Sequence, residues 1–223
     1  MIKKFEDLTL QDDFMFCKVM QNPDLCKKLI EMILADTIGK IAYISVQHNI
    51  NTYEQAKSVR FDVLVQTENG KFYDVEMQVS NEKNIPKRMR FYQAAIDISF
   101  LDKGNFYNDL NESFIIFICL FDVLGKNRSV YTFENICLED KNISLQDGTK
   151  KVIINADAFK STEDKDLKGF LEYLLMSTFE MDARYKGAYE TKRETAKILK
   201  QLGDSIQKIM QVTGLPEAEI EKL

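Results

Sequence analysis

Residues Ser58 to Ser80 read SVRFDVLVQTENGKFYDVEMQVS, and the way this stretch pairs with itself decides how the rest of the chain is read. Val59, Phe61, Val63 and Val65 alternate with Arg60, Asp62, Leu64 and Gln66. After the turn ENGK, Tyr73, Val75, Met77 and Val79 alternate with Asp74, Glu76, Gln78 and Ser80. A period of two marks strands with one buried face. Loop length then fixes which polar residues meet. A two-residue Asn69-Gly70 turn sets Asp62 opposite Met77, an acid against an apolar residue on the wrong face. A three-residue loop, Glu68 to Gly70, with Gly70 in a left-handed conformation, sets Asp62 opposite Glu76 and keeps both apolar sets on one face. The second register is expected, with Gln78 one step further along the face of the two acids. Directly opposed carboxylates repel across a ladder. A divalent cation held by carboxylate oxygens relieves that repulsion, whereas acids on the open face of a hairpin are otherwise simply solvated.

The next segment, NEKNIPKRMRFYQAAIDISFL, predicts a helix entered through Asn84, Ile85 and Pro86, with Lys83, Lys87, Arg88 and Arg90 around its first turns. A cationic helix leaving the strand that bears Glu76 and Gln78 suits a site that cleaves phosphate esters. Asp62, then Glu76-Met77-Gln78 at the end of the next strand, then R-M-R-F-Y-Q, resembles the PD-(D/E)XK nuclease superfamily. Within it the chain is most similar to the bacterial recombination-promoting nuclease or transposase group. LTLQDDFMFCKVMQNP near the start, FIIFICLFD followed by YTFEN, and TGLPEAEIEKL at the end carry the same resemblance over nearly the whole chain.

The resemblance implies a restriction-endonuclease-like α/β fold, a mixed β-sheet flanked by helices with an αβββαβ core. It implies a Mg²⁺-dependent DNA endonuclease, with Mn²⁺ as a substitute. Asp62 and Glu76 would hold the metal together with the backbone carbonyl of Met77, and Gln78 would complete the catalytic set by orienting water. Lys87, Arg88 and Arg90 would contact DNA, with Lys57, Tyr92 and Gln93 in support. The proline of the superfamily name is absent, since Arg60 and Phe61 precede Asp62, and the lysine position is held by the uncharged Gln78. That last departure gives a second reading, a weak or inactive nuclease-fold module that binds DNA or assembles with proteins.

Composition bounds both readings. In 223 residues, 45% are hydrophobic and 29% charged, which excludes a disordered chain and allows a sizeable core. A net charge of -5 means that DNA affinity must rest on a local basic patch, a metal or a dimer groove. Cys17, Cys26, Cys119 and Cys137 show no C-x-x-C spacing and read as reduced thiols of a cytoplasmic protein. His48, the only histidine, rules out a multi-histidine metal site. FIIFICLF is too short to span a bilayer, no signal peptide is evident, and no glycine-rich phosphate loop supports a nucleotide hydrolase.

A first helix is predicted over Leu10 to Ala35, broken or kinked at Asn22-Pro23, with Asp12 and Asp13 as acids suited to its start. Ile41 to Gln47 predicts a strand. Phe91, Ala95, Ile98 and Leu101 are the positions through which the cationic helix should pack on the sheet. Ser113 to Phe121 is a continuous β-rich run, expected to be a central strand buried on both faces. Val130 to Leu138 and Lys151 to Ala156 predict further strands, with a turn at Gln146 to Thr149. Residues 1–160 are accordingly expected to form the nuclease-like core and 161–223 a helical extension, whose amphipathic helices suit a homodimer contact.

Overall fold

The computed structural model describes residues 8–50, 58–176 and 178–223, with the backbone alone for 178–186. The expected first helix is two: α1, Asp13–Met20, and α2, Pro23–Leu34. The break has a local cause. Asn22 Oδ1 accepts the N–H groups of Asp24 and Leu25 at 3.0 and 3.2 Å, capping α2, and Pro23 at its first turn has no N–H to leave unpaired. The acids before α1 act differently from caps, since the Asp12 carboxylate accepts the N–H of Thr9 at 2.8 Å and makes no capping bond to the helix.

Strands β1 (Ile41–Ile50), β2 (Val59–Thr67) and β3 (Phe72–Gln78) follow, then helix α3 (Ile85–Phe100), β4 (Ser113–Cys119), β5 (Val130–Phe133) and β6 (Thr149–Asn155). Among the described residues these six strands form one mixed sheet in the order β1-β2-β3-β4-β6-β5, with β4 parallel to both β3 and β6. β4 is the central, doubly buried strand that its apolar run predicts.

The hairpin takes the three-residue loop. Thr67 N–H donates to Lys71 O at 3.0 Å, Gly70 N–H to Thr67 O at 2.9 Å, and Gly70 sits at φ +82°. Val63 pairs with Val75, which brings Asp62 level with Glu76. The expectation of a single buried face fails in two respects. Helices cover both sides of the sheet. Val63, Val65, Tyr73, Val75 and Met77 lie in one core with Phe16 of α1, Leu29 and Ile33 of α2, and Leu167 and Leu171. Val59, Phe61, Leu64 and Phe72 lie in the other, with Ile85, Met89 and Ile96 of α3. The alternation therefore breaks between Phe61 and Val63. The break coincides with Gln47, which would face Asp62 across β1 and β2 but drops out of the ladder with φ +52°.

Helix α3 also packs through a different face from the one its apolar spacing suggests. Ile85, Met89, Gln93, Ala95 and Ile96 are buried, while Phe91 and Ile98 are 42% and 62% exposed. Two polar residues, Tyr92 and Gln93, find hydrogen bonds within this interface, through the Tyr92 hydroxyl and the Gln93 amide nitrogen, and this lets them take inward positions that a hydrophobicity count assigns elsewhere.

The chain divides into two compact units, 1–175 and 176–223. The division falls after helix α4 (Lys165–Leu175), because Leu167, Leu171 and Leu174 of α4 are buried in the core shared with α2. The second unit contains α5 (Thr178–Gln201), α6 (Ile206–Thr213) and α7 (Glu217–Ile220), around a small core of Ala196, Ile209, Leu215 and Ile220. Ser205 caps α6, and Gly214 at φ +68° ends it. No described helix is long and apolar enough to cross a membrane. All four cysteines are free, and burial pushes the Cys26 and Cys119 thiols up to about 12, which leaves them unreactive.

Candidate active site at the mouth of the hairpin

At the end of the hairpin remote from its loop, side chains replace the main-chain ladder. Glu76 Oε1 accepts the N–H of Asp62 at 2.7 Å, and Asp62 Oδ2 accepts the N–H of Met77 at 3.1 Å. The acids are not on an open face as the sequence suggests: Glu76 is 1% exposed, because α3 lies over it. Arg88, one turn into α3, donates from Nη2 to Glu76 Oε2 at 3.2 Å and to the Tyr92 hydroxyl at 3.1 Å, and from Nη1 to Gln78 Oε1 at 2.6 Å. Gln78 in turn donates from Nε2 to the Met77 carbonyl at 2.8 Å. The Tyr92 hydroxyl donates to Arg60 O at 3.4 Å, and its ring meets Phe61 edge-on at 5.2 Å.

Two further groups belong here, one that the sequence did not single out and one that it assigned to the start of the first helix. Asp74, fully buried on the same side of β3 as Glu76, accepts no N–H or hydroxyl among the described residues and meets only the Glu76 carboxyl, with which it can share a proton. Its signal was its position, two residues before Glu76 on the same strand face, but an acid at a presumed solvated position gave no reason to choose it. Asp13, on the first turn of α1, accepts from Arg60 Nη2 and from Gln47 Nε2, both at 3.3 Å. Nothing in local spacing joins residue 13 to residue 60.

This crowding governs ionisation. Burial pushes Asp62 up to about 6, with the Asp13 charge adding to the rise and the Met77 N–H, Arg88 and Arg60 opposing it. Burial and the Asp62 charge push Glu76 up to about 8. Asp74 lies well above the carboxylate range, through burial and then the charges of Glu76 and Asp62. Burial works against the charge on Arg88, but Tyr92, Glu76 and Asp62 outweigh it. Three acids thus share one guanidinium, an excess of negative charge that a low-dielectric interior penalises.

That crowding, with Asp62 Oδ1 open, fits a cation. No group of three or more His, Cys, Asp or Glu side chains is arranged as a metal cage among the described residues. A Mg²⁺ site needs no such cage, since this ion keeps several waters and takes one or two carboxylates. Asp62 Oδ1 carries no hydrogen bond among the described residues and is the open oxygen, whereas Glu76 and the Met77 carbonyl would take a cation in exchange for bonds they accept from Arg88 and Gln78.

A groove of about 530 Å³ adjoins these groups, lined by Ser58, Glu82, Asn84, Lys87, Arg88, Phe91 and Tyr92, so that one acid stands among its cations. Of the cations on α3, Lys87 and Arg88 line it and Arg90 does not. Arg90 is two positions beyond Arg88, about 200° around a helix, so it stands exposed on another side. Gln93 is also apart from the acids: its amide nitrogen donates to Ser113 Oγ, at the start of β4, and to Asp97 at 3.4 Å. Lys57 lies outside the described residues.

The family model described as PD-(D/E)XK nuclease family transposase matches residues 10–212 of the 223. No curated protein and no solved structure matches the chain. The mixed sheet flanked by helices is consistent with a PD-(D/E)XK nuclease fold, and the matched span takes in every described residue of the site. The chain belongs to the PD-(D/E)XK nuclease family transposases.

Proposed function

We propose that this protein is a metal-dependent DNA endonuclease that hydrolyses phosphodiester bonds, with Asp62, Glu76 and Gln78 as its catalytic set. The observation that carries this reading is the pairing of Asp62 and Glu76 at the hairpin mouth, beside Arg88 and the groove that Lys87 lines. Asp62, Glu76 and the Met77 carbonyl are the proposed ligands of Mg²⁺, with Mn²⁺ able to substitute. When bound, such an ion supplies Lewis-acid polarisation of the phosphoryl oxygen and a water acidic enough to ionise near neutral pH.

The chain's own residues supply the rest. Asp62 and Glu76 hold each other's geometry through the Asp62 and Met77 amides, so the two carboxylates are ordered before substrate arrives. Lys87, Arg88 and Arg90 offset phosphate charge locally, which a chain of net charge -5 cannot do as a whole. Tyr92 fixes the guanidinium of Arg88. Cleavage of supercoiled plasmid by purified protein tests the proposal: it should require Mg²⁺ or Mn²⁺, stop on chelation and be absent from Asp62→Ala. A wild-type rate equal to that of Asp62→Ala overturns it.

One observation favours the other reading, a nuclease-fold module without turnover. Arg88 and Gln78 engage Glu76 and the Met77 carbonyl, so those oxygens already have partners in the protein itself. Under that reading DNA binding survives chelation unchanged and no metal produces cleavage.

A further inference from the structure

We infer that Arg88, reaching in from α3, places at the scissile phosphate the positive charge that the uncharged Gln78 cannot supply, and that Gln78 is the positioning residue that holds Arg88 there. The inference rests on the endonuclease reading and assigns Arg88 a role distinct from general DNA affinity.

Both ends of the Gln78 amide are engaged within the protein. Nε2 donates to the Met77 carbonyl at 2.8 Å, and Oε1 accepts from Arg88 Nη1 at 2.6 Å. Gln78 therefore serves as a bracket between strand and guanidinium. The other Arg88 nitrogen, Nη2, is shared between Glu76 at 3.2 Å and the Tyr92 hydroxyl at 3.1 Å. The guanidinium carbon stands 5.3 Å from the centre of the Tyr92 ring and 5.1 Å from that of Phe117. Four residues, Glu76 and Gln78 of β3, Phe117 of β4 and Tyr92 of α3, thus fix one cation. Its remaining exposed surface, 26% of the side chain, borders the groove.

Affinity alone does not account for this construction. Lys87 and Arg90 are exposed and can meet phosphates without being immobilised. Ordering and half-burying an arginine costs side-chain entropy and hydration that a surface contact does not incur. What the arrangement gains is a charge acting through a lower effective dielectric, about fourfold stronger at ε near 20 than in water. The charge is also set in place before the reaction, the condition for stabilising a transition state. Pairing with Glu76 alone is an insufficient explanation, because a single ion pair needs neither Gln78 nor the two rings. The planar fork matters as well, since a lysine cannot give separate nitrogens to Gln78 and Glu76 in fixed directions.

The test is a charge relocation. With saturating DNA and Mg²⁺, Arg88→Ala should lower the single-turnover cleavage rate by about 10² or more, the scale of one lost electrostatic donor. Its DNA dissociation constant, read by fluorescence anisotropy without added metal, should change far less than the rate. Arg88→Gln, which keeps amide donors and lacks charge, should show the same rate loss if Arg88→Ala proves too unstable to study. Adding Gln78→Lys to either variant should restore much of the rate, because the ammonium then rises from the same sheet face. Millimolar guanidinium chloride should partly rescue Arg88→Ala. Gln78→Ala alone should lower the rate while leaving guanidinium without effect, since the charge is present but unheld.

An Arg88→Gln rate within threefold of wild type overturns the inference, as does a loss that neither Gln78→Lys nor guanidinium repairs. A wild type without metal-dependent cleavage overturns the endonuclease reading and this inference together. An active wild type with an indifferent Arg88 overturns the inference alone.

Discussion

Glu76 accepts the main-chain N–H of Asp62 at 2.7 Å, so one acid of the pair holds the backbone of the other. Glu76→Ala consequently removes more than a carboxylate. It leaves the Asp62 N–H without this acceptor and strips Arg88 of an anionic partner inside the protein. Breaking a buried charge pair by deleting one member costs about 3 kcal/mol or more. We expect Glu76→Ala to lose both metal-dependent cleavage and measurable stability to urea. Asp62→Ala, at a half-buried position, should lose cleavage with a smaller change in midpoint, and Glu76→Gln should lose metal binding by calorimetry while regaining most of the midpoint. Equal midpoints for Glu76→Ala and wild type would show that the pair is not structural.

The pH dependence follows from the raised acids. Glu76 moves from 4.5 to about 8 and Asp62 from 3.8 to about 6, so between those limits the folded chain binds more protons than the unfolded one. Stability in the absence of divalent cations should therefore fall as pH rises from about 4.5 towards 8, with the raised Asp74 adding to the decline. Mg²⁺ should flatten that decline, because it favours the ionised acids, and its apparent affinity should rise over the same interval. Thermal melts across pH with and without Mg²⁺ measure both. A decline equally steep in Glu76→Gln would place its origin elsewhere.

The groove makes a prediction about salt. Lys87 lines it and is exposed, so Lys87→Ala should weaken DNA binding and reduce the slope of log K against log salt concentration by about one, the value for one lost phosphate contact. Arg90→Ala tests whether DNA also reaches the other side of α3. An unchanged slope for either variant removes that residue from the interface.

Gly70 is open to a simple test of its own. It holds φ +82°, and a Cβ built there meets Asn111 Nδ2 at 2.9 Å. Gly70→Ala should destabilise the chain by about 1 to 2 kcal/mol through the left-handed conformation alone, read as a lower melting temperature. Asn111→Gly in the same background should recover only the part due to the contact.

The hairpin register was legible because it follows from arithmetic: only one loop length places Asp62 level with Glu76, and Gly70 supplies the backbone conformation which that loop requires. β4 was legible from its apolar run, and the division of the first helix from Asn22-Pro23. What escaped the sequence depends on partners far along the chain. Phe61 and Val63 alternate in text but point to opposite cores, because Gln47 and Asp62 leave the ladder together. The face presented by α3 was misread because Tyr92 and Gln93 are polar yet find hydrogen bonds inside. Asp74 was passed over for a related reason, since an acid beneath a helix looks in sequence like an acid in water.

The three residues between Thr67 and Lys71 act as a parity counter for the strand that follows. A substitution within β3 alters one side chain. One residue added to or removed from the loop exchanges inside and outside for all of β3 at once, moving Asp74, Glu76 and Gln78 among Ile116 and Val152 and delivering Val75 and Met77 to Arg88. The hairpin loop lies at the far end of β3 from Glu76 and Gln78, yet its length sets the side of the sheet on which both stand.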